Sequence, residues 1–112
     1  MSKGMTSPMA VLKYRPRKPT KRHIVTAVFV DIESESDRSA MLHPKYPQDD
    51  LRRAALVAEE AGELIQAALD ATRPDTVGPG LLHASNMYKE ACETAVMAIR
   101  LMIALREEGR VS

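Results

Sequence analysis

Apolar residues recur at helical spacing over three stretches of the chain, and proline and glycine separate those stretches. The first runs from Ile24 through Val28, Phe29 and Ile32 to about position 41 and predicts a helix. Its apolar centre, Val25-Thr26-Ala27-Val28-Phe29-Val30, also reads as a short strand, because so short a run carries no decisive period. Pro44 and Pro47 then enforce a loop. Asp49 or Asp50 supplies an N-cap for a second helix, from Leu51 to about Ala71, which contains no proline. On this helix Arg52, Glu59, Glu63, Gln66 and Asp70 form a polar stripe, with Ala54, Val57, Ala61, Leu64, Ile65 and Ala68 roughly opposite. Gly62 in its middle costs about 1 kcal/mol relative to alanine, which close packing or a ligand near the backbone would justify. Pro74, Gly78, Pro79 and Gly80 mark the next loop. A third helix is expected from Ser85 or Asn86 to Glu108, with Gly109 as its stop. Between Ala91 and Leu105 its only charges are Glu93 and Arg100, so it is expected to be buried on most sides.

The pattern predicts an all-α protein with about three main helices per chain. Composition adds a constraint. The chain has 112 residues, only 4% of them aromatic, and no tryptophan. Its core must come from Ala, Leu, Ile, Val and Met, which favours close helix packing completed by oligomerisation. Charge divides the chain in two. Residues 1–23 carry seven Lys and Arg and no acid, leaving the body at −6 for an overall charge of +1. With Pro8, Pro16 and Pro19 in it, 1–23 is expected to be a basic arm, and 24–112 the helical domain. Met9-Ala10-Val11-Leu12 is the arm's one apolar cluster. A single cysteine excludes a disulfide framework within the chain and a four-cysteine zinc site, and points to the cytoplasm. Charge-free apolar runs such as Thr94 to Ile99 are too short to span a bilayer, and no secretory leader is expected.

The chemistry is concentrated in two acidic pairs. Helix two carries Glu59-Glu60-Ala61-Gly62-Glu63, and helix three carries Glu90-Ala91-Cys92-Glu93. Within each helix Glu60 and Glu63, and Glu90 and Glu93, stand one turn apart on neighbouring faces. Antiparallel packing of the two helices would bring both pairs together. Four such carboxylates repel unless protonated or neutralised by a cation. Mg²⁺, with Mn²⁺ as a substitute, suits hard oxygen ligands and bridges to phosphates. The competing reading is structural: a solvated face on helix two, and a Glu93–Arg100 contact on helix three.

The two stretches from Ala55 to Ala68 and from Lys89 to Val96 resemble the MazG-like, all-α nucleoside triphosphate pyrophosphohydrolases. The resemblance covers about residues 49–106. That family usually has Asp where Glu93 stands. The resemblance implies cleavage of a nucleoside triphosphate between its α and β phosphates, giving the monophosphate and pyrophosphate. It also implies Glu60, Glu63, Glu90 and Glu93 as Mg²⁺ ligands, and Glu59 as the carboxylate that holds or deprotonates the attacking water. Lys89 and Arg100 become candidate phosphate contacts, and a homodimer or homotetramer the expected assembly.

Other residues add little. His23, His43 and His83 are scattered and read as surface or loop residues. Cys92 reads as a small buried side chain, and Met97 and Met102 as core. No Gly-x-x-x-x-Gly-Lys loop is present, which excludes P-loop chemistry. The alternative function is a non-catalytic helical interaction protein whose arm, Lys13 to Arg22 with Tyr14 for stacking, binds nucleic acid. A third reading has the acidic cluster bind metal only to hold subunits together.

Overall fold

A computed structural model describes residues 18–73 and 80–112, apart from the side chain of Leu81. The described residues form three helices and no strand: α1 (Lys21–Leu42), α2 (Asp50–Thr72) and α3 (Gly80–Glu107). The strand reading of 25–30 is therefore set aside. Residues 1–17 of the expected arm, and the loop expected at Pro74, Gly78 and Pro79, lie outside the described residues.

Local chemistry sets the helix ends. Thr20 caps α1, its side chain accepting from the His23 N–H at 3.2 Å. The helix thus starts three residues before Ile24, and Lys21, Arg22 and His23 belong to it and not to the arm. Asp49 caps α2 in the same way, accepting from the Arg52 N–H at 2.9 Å. α3 begins at Gly80, five residues before Ser85. It ends at Gly109, whose φ of 71° places it in the left-handed region that glycine enters without a Cβ penalty. The Arg110 N–H then reaches the Leu105 carbonyl and the Gly109 N–H the Arg106 carbonyl, both at 3.0 Å, which closes the last turn as a Schellman motif.

α3 is the central element. Both α1 and α2 pack on it, α2 more extensively, and α1 and α2 do not pack on each other. Val96 of α3, 1% exposed, is the most deeply buried large side chain among the described residues. The face of α1 turned inward is Val28, Ile32, Glu35 and Ser39, a helical stripe that is half polar. The inward face of α2 is Arg53, Val57, Glu60, Leu64, Ala67 and Ala71. Much apolar surface is left uncovered: Phe29 and Met102 are each 64% exposed, and Val30, Ile65, Leu69 and Ile103 are also exposed. Met102 therefore does not join the core as expected, while Met97 is half-buried.

One end of the fold is tied by charge. Arg53, 2% exposed, donates from Nη2 to Glu108 Oε2 at 2.6 Å and from Nε to the Pro47 carbonyl at 2.9 Å. Arg110 closes the ring, reaching Asp50 Oδ2 at 2.6 Å and Glu108 Oε1 at 3.2 Å. These arginines hold the Asp50 and Glu108 carboxyls below their ordinary range. Tyr46, in the 43–49 loop, lies under two guanidinium groups, with Arg53 at 5.4 Å and Arg100 at 4.6 Å from its ring centre. Arg100 also donates to the His43 carbonyl at 3.4 Å.

Two stability outcomes follow from this packing. Arg53→Met leaves the Pro47 carbonyl without its donor and Glu108 with Arg110 alone, so thermal denaturation should show a clearly larger loss than for the exposed Arg52→Ala. A Cβ at Gly62 meets nothing within 4 Å, so packing within the chain does not require this glycine. Gly62→Ala should stabilise the folded chain by about 1 kcal/mol, read as a Tm several degrees higher.

Candidate metal centre

The ionic knot at the α2 N-terminus fixes the register of α2 against α3. Arg53, near the start of α2, meets Glu108 just beyond the end of α3, so the two helices run antiparallel. Two turns further along α2, Glu60 comes to α3 beside Glu93, and Glu63 comes beside Glu90. One carboxylate oxygen from each of Glu60, Glu63, Glu90 and Glu93 lies within 4.8 Å of the others. Glu63 is exposed, and the other three are half-buried.

The electrostatics follow from this crowding. Burial and three neighbouring carboxylates, Glu63 first and then Glu93 and Glu90, push the Glu60 carboxyl up to about 7. Burial and Glu93 likewise raise Glu90, with Lys89 opposing them. Glu60 Oε2 and Glu90 Oε2 are buried and have no hydrogen-bond partner among the described residues. Unsatisfied buried oxygens are costly, and a divalent cation would satisfy several at once. An all-oxygen, four-carboxylate set is a donor set for a hard cation. The cluster therefore meets the requirements for holding a metal.

Other expected site residues fall elsewhere. Glu59 is exposed and stands outside the four, because one residue along a helix is a rotation of about 100°. Arg100 does not pair with Glu93. Their separation of seven positions is about 10 Å of helix rise, and the Arg100 guanidinium is engaged by Tyr46 and the His43 carbonyl. Lys89 lies near Glu35, which it helps to keep ionised, and lines a shallow cleft with Asp31, Tyr88 and Cys92. Cys92 is half-buried, its Sγ 3.7 Å from the Asp31 carbonyl oxygen, and burial raises its thiol pKa. His23 and His43 are exposed, as expected. His83 is half-buried in α3 and not in a loop, and its Nε2 is buried with no hydrogen-bond partner among the described residues. It lines a cavity of about 290 Å³ with Glu63, Gln66, Asn86 and Glu90.

α1 brings two residues that the sequence pattern did not single out. Glu35 and Arg38 line a small cavity together with Glu60 and Glu93. Glu35 accepts from Arg38 Nε at 2.9 Å and Nη2 at 2.8 Å. The signal was present as an i, i+3 acid–base pair, but such pairs decorate most solvated helices.

The raised Glu60 sets a pH dependence. Folded Glu60 keeps its proton to about pH 7, whereas an unfolded glutamate gives it up near pH 4.5. This group's contribution to metal-free stability is therefore present at acid pH and lost as pH rises through about 7. A cation needs the deprotonated ligand, so Mg²⁺ or Mn²⁺ should raise the Tm more at pH 8 than at pH 6. Equal shifts at the two pH values, followed by differential scanning fluorimetry, would remove Glu60 from the ligand set.

No protein-family model, no curated protein and no solved structure matches the chain.

Proposed function

We propose that the chain is a Mg²⁺-dependent nucleoside triphosphate pyrophosphohydrolase that works as a homo-oligomer. The observation that carries the reading is the convergence of Glu60, Glu63, Glu90 and Glu93 from two helices, with two buried and unpartnered carboxylate oxygens among them. The resemblance of the two acidic motifs to the MazG-like enzymes supplies the substrate class. In the reaction the oxygen of water bonds to the α-phosphorus, the bond from that phosphorus to the α–β bridging oxygen breaks, and pyrophosphate leaves. Mg²⁺ bound to the four glutamates would offset phosphate charge and polarise the attacked centre. Glu60, Glu63, Glu90 and Glu93 would hold the cation, and Lys89 at the α1 side of the cluster would contribute positive charge toward the phosphates.

Exposed apolar side chains on all three helices support the oligomer. No helix among the described residues is long and apolar enough to cross a membrane. The interaction-protein alternative rests mainly on residues 1–17, which lie outside the described residues.

The decisive experiment is a turnover panel. Each common ribo- and deoxyribonucleoside triphosphate is incubated with the protein and Mg²⁺, with and without chelator, and the products are separated by chromatography. Monophosphate plus pyrophosphate, abolished by chelator, is expected. Glu60→Gln or Glu93→Gln should lower turnover by about a hundredfold or more while leaving the circular dichroism spectrum helical. Diphosphate plus orthophosphate would rule out α–β cleavage. Absence of turnover in a folded oligomer would favour the arm-binding alternative, for which deleting residues 1–23 should abolish nucleic-acid binding.

A further inference from the structure

Beside the carboxylate cluster, α1 presents the Glu35–Arg38 ion pair across a small cavity. The cavity of about 120 Å³ beside it has Glu60 and Glu93 on one wall, Glu35, Arg38 and Ser39 on another, and Val96 and Met97 among its remaining lining residues. That is room for several waters, or for a group the size of one tetrahedral oxyanion. Among the side chains lining it, Arg38 is the one permanent cation. Its charge is felt by Glu93 as well as by Glu35.

The Arg38–Glu35 pair leaves hydrogen-bonding capacity over. Glu35 takes the Nε and Nη2 edge of the guanidinium, at 2.9 and 2.8 Å. A guanidinium has five N–H donors, so Nη1 and one proton of Nη2 remain for another acceptor. The Arg38 side chain is 56% exposed and open to a ligand from solvent. Glu35 is in turn drawn down in pKa by Arg38 and stays ionised, which keeps the guanidinium anchored at neutral pH. Arg100, the arginine expected from the sequence for an anion contact, stacks on Tyr46 and donates to the His43 carbonyl.

We infer that Arg38, held by Glu35, is the oxyanion contact of this site, binding a phosphoryl group of the ligand in the cavity between α1 and the glutamate cluster. The inference rests on the proposed metal-dependent phosphate chemistry and adds to it the helix and side chain that receive the anion. Guanidinium geometry matches a phosphoryl group through two parallel N–H bonds, which an ammonium does not reproduce.

The test is calorimetric and needs no turnover. Inorganic pyrophosphate is titrated into the full chain in the presence of Mg²⁺, and Mg²⁺ is titrated separately. Arg38→Gln removes only an exposed i, i+3 pair, so the variant is expected to remain folded. It should bind Mg²⁺ at least as well as the unmodified chain does, and pyrophosphate on the order of tenfold or more weakly. Arg38→Lys should recover part of that loss. Unchanged pyrophosphate affinity in Arg38→Gln, with Mg²⁺ still bound, would overturn the inference and leave the metal reading standing. Equal loss of Mg²⁺ and pyrophosphate would overturn it too, because Arg38 would then act on the cluster itself. Pyrophosphate failing to bind the unmodified chain while Mg²⁺ binds would likewise refute it. If Mg²⁺ does not bind the unmodified chain, the metal reading fails, and this inference fails with it.

Discussion

The Arg53 guanidinium ties together three parts of the chain that are far apart in sequence. It meets the carboxylate of Glu108 beyond α3, the carbonyl of Pro47 in the 43–49 loop, and the ring face of Tyr46. A buried cation is costly unless its donors are used and its charge is met, and here both conditions hold. The geometry has a consequence for register. Because the start of α2 is fixed to the end of α3, sliding one helix past the other would break the ion pair. Two turns along, that same register faces Glu60 with Glu93 and Glu63 with Glu90. The knot carries no chemistry, yet the glutamates converge because the knot holds.

The carboxylate cluster works against the fold in the metal-free state. Glu60 and Glu90 retain protons more strongly than ordinary glutamates because burial and their neighbours disfavour the ionised form. Their orphaned oxygens lie in a contact where hydrophobic residues would pack without cost. Strain of this kind at one locus, in a fold otherwise capped and punctuated by ordinary rules, is the usual mark of a site kept for function. The contrast with Arg53 is instructive. Both loci crowd charge between α2 and α3, but Arg53 is met directly by Glu108, whereas the four glutamates feel Lys89 and Arg38 only from beside the cluster.

α3 serves as the shared wall for two helices that do not touch each other. Such an arrangement buries one helix well and leaves the other two with open flanks, so Phe29, Ile65 and Met102 remain exposed. It also creates the cleft between α1 and the cluster. The inward stripe of α1 is half polar, and its small Ser39 and its Glu35 lie where a continuous hydrophobic stripe would have filled the space. The cavity thus follows from the composition of that stripe.

Much of the architecture was legible along the chain. Pro44 and Pro47 set the first loop, Asp49 the start of α2, and Gly109 the end of α3, because caps and breakers act on the backbone within a few residues. The spacing of three within each glutamate pair placed Glu60 with Glu63 and Glu90 with Glu93 for the same local reason. The sequence did not show Thr20 extending α1 to Lys21, since three basic residues there look like the end of an arm. Tertiary structure decided the partners. Arg100 turned to Tyr46 and away from Glu93, Glu59 was left in solvent, and Glu35 and Arg38 were brought to the site from another helix. Periodicity reports which residues share a face of one helix. Which face of a second helix meets it depends on the register and rotation of whole elements, and those are set by contacts such as Arg53–Glu108, 55 residues apart in the chain.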